Sequence, residues 1–525
     1  MKGLFLVTSQ EMAEIEQKTI HEWGIPAIIL MENAGLKVVE EIKNLTEDLK
    51  GKKITVIAGR GNNGGDALVV ARHLYNQGAD IKVFLVGNKE FTGPSLVNYE
   101  IAQKLPLTFY SIDNDNDLHL LKLTLHYTDF LVDGLFGTGF QGQAKGMARK
   151  VIETINEYNC YKIAIDLPSG VNADNGKVLG PCIKADSTVT FALPKVGLAV
   201  EPGISFAGTI KVVDISIPNE VIQEFNPQKI MVSKEIVNKY LPRRRSDSHK
   251  GTYGHLLIVG GSVGMMGAPY LSGRGGFALG AGLVTMVVPK SIQQGLATTL
   301  PEAMVHPASE TGEGTLGLVS GPEILKFAKD KSAIVIGPGM GFNQETAPLL
   351  KWLLSQKELE NTPIVIDADA LKGLGQDLSI LKDCKVPVII TPHPGEMARI
   401  LKTSPRKVQE NRIEVSQELA KEWGIWVVLK GKNTIIATPQ GQILVNPTGS
   451  PALATAGTGD ILAGMIGAIV GQNQDLTYGI ATAVYLHGLA GQYVSQQIGE
   501  ISSKALDIID SVAMVIKKEF GQHGN

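Results

Sequence analysis

The chain has 525 residues, 44% of them apolar, with 49 basic against 52 acidic side chains. That length exceeds what one hydrophobic core usually organises, so two or three domains are expected, and the balanced charge offers no footprint for nucleic acid or an anionic membrane surface. Three cysteines (Cys160, Cys182 and Cys384) make no metal-type pair and suit a reducing compartment.

At the amino end a brief apolar run, 3–7, turns acidic at Glu11, Glu14 and Glu16, unlike a signal or transit peptide. No apolar run approaches the roughly 20 residues of a membrane span. A cytoplasmic location, with neither nucleic acid nor membrane as partner, is the expectation. Thr8 with Glu11 three residues later predicts a capping box opening a first helix. A β-branched run at 53–58, the turn GRGNNGGD (59–66), a helix over 67–76 stopped near Gly78, and a strand at 81–86 make a βαβ unit. Gly59, Gly61 and Gly64 have the GxGxxG spacing of a dinucleotide turn. There, backbone N–H groups and the helix dipole face a phosphate. A hydride-transferring dehydrogenase is one reading. Against it, the second strand ends at Val86-Gly87-Asn88 without the acid that would hold a ribose. The Asn62-Asn63 pair and Gly65-Asp66 also suit polar or cation contacts.

Further strands at 130–132, 162–165 and 187–191 end in Asp133 before GLFGTGF (134–140), in Asp166-Leu167-Pro168-Ser169-Gly170, and in Pro194-Lys195. Ligands of an open α/β sheet bind outside the carboxyl ends of its strands, so these clusters are expected to converge on one crevice. Asn63, Asp133 and Ser169 offer hard oxygen donors for an alkali or alkaline-earth ion rather than zinc. Asp166 and Lys195 are candidates for proton transfer. The same residue types serve as ordinary caps and turns, and spacing alone leaves both readings open.

GRGNNGGD, VDGLFGTGF (132–140), DLPSGV (166–171) and MENAG (31–35) together resemble the NAD(P)H-hydrate epimerase domain over roughly 1–225. The resemblance implies a Rossmann-like three-layer sandwich. It also implies that Asn62, Asn63, Gly64, Gly65 and Asp66 contact the phosphates of the hydrate, and that Asn63, Asp133 and Ser169 bind potassium. Gly137, Thr138, Gly139, Phe140, Gln141, Gly142, Gln143 and Asp166 are implied to line the substrate, with Asp166 closest to the chemistry. Where the family usually reads NNGGDG, Ala67 follows Asp66 here; alanine forms helix well, so a small effect is expected.

From Pro218 to about Gly251 the pattern weakens. Pro227, Pro242 and the run Arg243-Arg244-Arg245 read as a solvated linker, or alternatively as a basic flap over the mouth of the next site. The boundary is expected near 228, giving domains 1–228 and 229–525.

The strand 255–259 then leads into GGSVGMMGAP (260–269). Strand-like runs at 283–288, 333–336, 364–366, 386–390 and 426–429, mostly separated by helical stretches, predict a largely parallel sheet covered by helices. Their ends carry GPGMG (337–341), DADAL (367–371), TPHPGE (391–396) and LKGKNT (429–434), none of them a Walker A loop. AGTGD (456–460) has a mechanical reading. Gly457 and Gly459 let the backbone approach a phosphate, and a helix opening near Asp460 points its N–H groups at developing anionic charge. Asp460 is placed to take a proton from a hydroxyl as that oxygen attacks phosphorus. A capped buried helix is the alternative. His393, between Pro392 and Pro394, lies in a rigid turn and is expected to touch ligand.

AGTGD within NPTGSPALATAGTGDILAG (446–464), with TPHPGE, DADAL and GPGMG, resembles the nucleotide-dependent NAD(P)H-hydrate dehydratases over about 235–515. That resemblance implies a ribokinase-like fold in which Ala268, Gly339, His393 and Asp460 contact the hydrate. Lys430, Gly431, Lys432, Asn433 and Thr434, with Gly457, Thr458 and Gly459, would hold the nucleotide. Together the halves resemble the bifunctional NAD(P)H-hydrate repair enzymes. The expected substrates are the hydrates of NADH and NADPH (NADHX and NADPHX). Mg2+ with ADP or ATP is expected in the second domain, ADP being favoured in the bacterial type, and K+ in the first. A homo-oligomer of four copies or more is implied. Two rivals remain at this stage: a small-molecule kinase of the hydroxyethylthiazole kind, and a first domain that only binds nucleotide or protein.

Overall fold

The computed structural model describes residues 4–88, 90–381, 384–472 and 475–521; Gly3, which opens the short apolar run, lies outside them. The chain divides into two compact units, Leu4–Lys229 and Ile230–Asn525.

In the first unit, seven parallel strands lie in the spatial order Thr108–Ile112, Asp80–Val86, Lys53–Ala58, Phe130–Gly134, Tyr161–Ile165, Ser187–Phe191, Thr209–Val213. Chain order reverses between Lys53–Ala58 and Phe130–Gly134, which makes the carboxyl ends of these two strands a topological switch point. Alternate residues of each strand feed opposite layers. Val56, Ala58, Val83 and Leu85 pack with Val38, Leu68 and Leu74, whereas Ile57, Phe84, Val86 and Leu131 pack with Leu121, Val151 and Ile152. The unit is thus a sheet between two helical layers. Thr8 and Glu11 close the capping box of the helix Ser9–His21, with Glu11 N to Thr8 Oγ1 at 3.2 Å and Thr8 N to Glu11 Oε2 at 2.7 Å. The helix expected from Ala67 starts five residues earlier, at Asn62. Asn62–Asp66 are therefore its first turn and not the turn before it. Strands Thr108–Ile112 and Thr209–Val213 escaped the sequence because their alternation of polar and apolar residues is weak at a sheet edge.

In the second unit, parallel strands run Trp426–Leu429, Val388–Ile390, Ile364–Ile366, Ala333–Ile336, His255–Val259, Leu283–Pro289, Met304–Ala308. Two antiparallel strands, Ile435–Ala437 and Ile443–Val445, extend the sheet beyond Trp426–Leu429. The helix Thr458–Val470 crosses Gly267–Ala278 at glycines. A Cβ on Gly275 would sit 2.3 Å from the Ile461 carbonyl oxygen, and one on Gly464 would sit 1.9 Å from that of Ser272. This close approach fixes the amino end of the helix, as does Ser272 Oγ, which donates to the Asp460 carbonyl at 2.7 Å.

The arginine run is not a flap over the second site. Arg244 lies 4.9 Å from the Tyr253 ring centroid and donates to the Gly280 carbonyl, at the amino end of Leu283–Pro289 and opposite the strand-end clusters. Among the described residues, no helix is long and apolar enough to cross a membrane.

Candidate active sites

A cleft of about 1020 Å3 opens over the carboxyl ends of the first sheet. Asn62, Asn63, Asp66, Gly137, Thr138, Gly139, Phe140, Gln141 and Asp166 line it, whereas Gly64, Gly65, Gly142 and Gln143 do not. The two helix glycines serve packing instead. A Cβ on Gly64 would fall 1.8 Å from the Gly59 carbonyl oxygen, and one on Gly65 would meet Ser95 and Met31 within 2.8 Å. The Gly65 N–H is spent on the Gly61 carbonyl, so the orphan amides of the first turn are those of Asn62 to Gly64.

Asp133 is fully buried and accepts from the Ser169 hydroxyl at 2.6 Å, the Ser169 amide at 2.8 Å and the Leu135 amide at 3.2 Å. The Asn63 amide donates to the Phe136 carbonyl at 2.9 Å, and the Phe136 amide donates to Ser169 Oγ at 2.8 Å. Asn63, Asp133 and Ser169 are thereby joined around the backbone of Phe136. Burial pushes the Asp133 carboxyl up to about 6, against the pull of the Ser169 and Leu135 hydrogen bonds. A buried carboxylate among amide, hydroxyl and carbonyl oxygens is a hard donor set that fits an alkali or alkaline-earth cation.

Asp166 sits at φ 64°, a left-handed conformation that aims its carboxylate back at its own sheet. It accepts from the Thr190 hydroxyl at 3.0 Å, the Phe191 amide at 3.1 Å, and the Lys195 ammonium. Lys195 is buried and donates also to the Phe191 carbonyl at 3.1 Å. Two more carboxyls face this ion pair. Burial raises Asp66 well above the carboxylate range, with Asp166 and Glu16 adding to the shift and Lys195 opposing it. Burial likewise raises Glu16, with Lys195 opposing and Asp166 adding. Glu16 lines the cleft and was not singled out as a site residue from sequence. Its signal was available: on Ser9–His21 it shares a face with the buried Met12, Ile15 and Thr19, and an acid on an apolar face calls for a partner.

In the second unit the strand-end motifs also gather. Lys430, just past Trp426–Leu429, places its ammonium 2.9 Å from Asp367, just past Ile364–Ile366. Burial would lower the Lys430 pKa, yet the carboxylates of Asp367, Glu396 and Asp460 outweigh it and raise the value. A Cβ on Gly459 would lie 3.3 Å from that ammonium, so a side chain there would press on the cluster. Gly457, at φ 94°, turns the chain into the helix Thr458–Val470. Burial, with Asp367 adding, pushes the Asp460 carboxyl up to about 7 while Lys430 opposes. The Thr458 hydroxyl is committed to the Leu453 and Thr455 carbonyls at 2.9 and 3.0 Å, and its backbone carbonyl to His487, which leaves its backbone amide for a ligand.

His393 caps the helix Pro394–Ile400, its Nδ1 accepting from the Gly395 amide at 3.0 Å, and half its side chain stays exposed. Gly339, at φ 61°, packs against Ala268; a Cβ there would meet that of Ala268 at 2.9 Å. The loop from Lys430 to Thr434 is braced by the Thr434 hydroxyl on the Gly431 carbonyl at 3.0 Å. Beneath it the buried Arg412 donates to the carbonyls of Leu429 and Lys430 at 2.9 and 3.3 Å. Asn433, buried at φ 53°, carries an Oδ1 with no hydrogen-bond partner among the described residues. An orphaned buried acceptor in a pinned loop fits a donor supplied by a bound nucleotide. Asp367, Glu396 and Arg412 were missed as site residues, because their place depends on pairings across strands far apart in sequence.

Residues 256–513 match the family model described as NAD(P)H-hydrate dehydratase, and residues 27–197 match that described as YjeF-related protein N-terminus. The chain is 42% identical to the bifunctional NAD(P)H-hydrate repair enzyme Nnr of Moorella thermoacetica, covering 98% of this chain and 97% of that one. It is 36% identical to the enzyme of the same name from Thermofilum pendens, covering 93% and 92%. Among solved structures it resembles an ADP/ATP-dependent NAD(P)H-hydrate dehydratase from Bacillus subtilis co-crystallised with ATP and Mg2+. Identity there is 31%, over 55% of this chain and 98% of that one, with a TM-score of 0.47.

Proposed function

The chain belongs to the bifunctional NAD(P)H-hydrate repair enzymes, and from that premise we propose how its two units divide the work. The first, 1–228, interconverts the R and S hydrates of NADH and NADPH. The second, 229–525, dehydrates the S hydrate to NAD(P)H at the expense of ADP or ATP. The observation that carries the second assignment is Asp460: a half-buried carboxyl raised to about 7, at the amino end of a helix, behind two glycines.

The hydrate bears a hydroxyl on the carbon next to the ring nitrogen, and hydroxide leaves poorly. Asp460 takes the hydroxyl proton. Bound with Mg2+, the nucleotide would supply its terminal phosphoryl group to this oxygen and leave as AMP from ADP or as ADP from ATP. The backbone amides of Gly457, Thr458 and Gly459 stabilise the charge in transfer. The ring nitrogen's lone pair then expels phosphate, and loss of a proton from the neighbouring carbon restores the double bond. Lys430 to Thr434 hold the nucleotide; Ala268, Gly339 and His393 position the hydrate. In the first unit Asp166, oriented by Lys195, moves the proton that inversion requires, and Glu16 lines the same cleft.

Incubating the protein with mixed R and S NADHX, Mg2+, K+ and either ADP or ATP tests the whole reading by NADH absorbance. Full conversion of both epimers is expected, and the faster nucleotide identifies the donor. Conversion that stalls at the S fraction removes the epimerase. A stable phosphorylated product without NADH replaces the dehydratase with a kinase.

Asn63, Asp133 and Ser169 are proposed to hold K+. The Asp133 carboxyl, raised to about 6 in the folded chain, contributes stability that is complete below 3.8 and lost as pH climbs past 6. A cation beside it reverses that loss but must compete with the proton at lower pH. K+ is therefore expected to raise the melting temperature of the first unit at pH 8 and much less at pH 5. An equal effect of K+ at both pH values, or of K+ and choline at pH 8, sinks the assignment. We place the protein in the cytoplasm, in keeping with its three free thiols, as a homo-oligomer of four copies or more that light scattering would count.

A further inference from the structure

The active-site cleft of the first unit does not end at its phosphate cradle. A second groove of about 630 Å3 continues it, and Arg60, Gly87, Asn88 and Asp113 line both. Arg60 is tethered at this junction. Its Nε donates to the Gly87 carbonyl at 2.9 Å, and its guanidinium lies 5.1 Å from the centroid of the Phe91 ring. Phe91 is itself fixed, buried and stacked on Tyr99 at 4.8 Å. The guanidinium is thus held over an aromatic ring while Arg60 lines the groove.

We propose that this groove takes the adenosine half of the hydrate, with the purine stacked on the outer face of the Arg60 guanidinium. The proposal rests on the epimerase reading of the first unit and adds the seat of the non-reacting end. The sheet order supports it. Asp166 follows Tyr161–Ile165 on one side of the switch point, whereas Gly87, Asn88 and Asp113 follow Asp80–Val86 and Thr108–Ile112 on the other. Four interstrand steps separate the outermost of these strands, about 19 Å at 4.8 Å each. The orphan amides of the helix Asn62–Asn76 lie between. A molecule with a reactive ring at one end, a pyrophosphate in the middle and a purine at the other matches that sequence of sites. A guanidinium already held over one ring by a cation–π contact and a hydrogen bond can take a second ring at little further cost in side-chain freedom.

The test compares two substrates in the full chain: NADHX, and the hydrate of reduced nicotinamide mononucleotide, which lacks the adenylate. Epimerisation is followed by chromatography above the uncatalysed rate. Wild type is expected to favour NADHX in kcat/KM by about tenfold to a hundredfold, the range of one stacked base. Arg60→Ala is expected to erase most of that advantage through KM, its loss falling on NADHX and not on the mononucleotide. Arg60→Lys, which keeps the charge without the plane, is expected to follow Arg60→Ala. Equal losses on both substrates, or an advantage that survives Arg60→Ala, overturn the groove. A wild type that epimerises neither hydrate overturns the epimerase reading together with it.

Discussion

Asp460→Asn is expected to lower nucleotide-dependent dehydration of S-NADHX by about 10²- to 10⁴-fold, the usual worth of a positioned general base. The loss should appear in kcat, because the amide keeps the size of the side chain and its hydrogen bonding while losing its capacity to accept the hydroxyl proton. Epimerisation by the first unit should persist, so R and S hydrate still equilibrate in a chain that makes no NADH. The carboxyl stands at about 7, raised by burial and by Asp367. Wild-type kcat/KM for dehydration should therefore climb about tenfold per pH unit below 7 and level off above it, since only the ionised form is a base. The residual activity of Asp460→Asn should lack that limb. Stability moves the other way. A carboxyl raised in the folded state adds stability only at low pH and forfeits it as pH passes the folded value. At pH 8 the ionised Asp460 is a burden, and Asp460→Asn should melt no lower than wild type. A variant that keeps wild-type dehydration, or one that loses activity only by unfolding, removes Asp460 as the base.

The features legible in sequence share one property: they are local. GRGNNGGD announces a helix amino end because glycine and asparagine are needed within eight residues, and AGTGD does the same around Gly457 and Asp460. Strands rich in Val and Ile, such as Ala333–Ile336, are buried on both faces and stand out without periodicity. What stayed hidden depends on distance. Asp367 and Lys430 lie 63 residues apart in the chain and meet at 2.9 Å only because parallel strands bring their carboxyl ends together. Arg412 supports the loop at Lys430 from below, on a helix whose outward pattern gives no hint of it. Glu16 is an intermediate case, since its place on the apolar face of its helix could be read but not the Lys195 it faces, 179 residues on.

Asp166→Asn is expected to abolish catalysed epimerisation, by about 10²- to 10⁴-fold, with S-hydrate dehydration unchanged. Asparagine is the informative replacement because the position sits at φ 64°, where Asn is among the residues that tolerate left-handed backbone best. Its side-chain oxygen can still accept from the Thr190 hydroxyl and the Phe191 amide, so the strand end keeps its shape. Only the charge is gone, and it is the charge that matters to Lys195. That ammonium is 1% exposed, and breaking a buried ion pair by removing one partner costs about 3–5 kcal/mol. The first unit should melt earlier for that reason, so epimerisation is best measured well below the transition. Supplied with mixed hydrates, ADP or ATP and Mg2+, the variant should stop at the S fraction and then creep forward at the uncatalysed rate of epimer exchange. Full, rapid conversion by Asp166→Asn would show that inversion runs without this carboxylate. A stall shared with Lys195→Met, at temperatures where both variants remain folded, would make the ion pair the working unit.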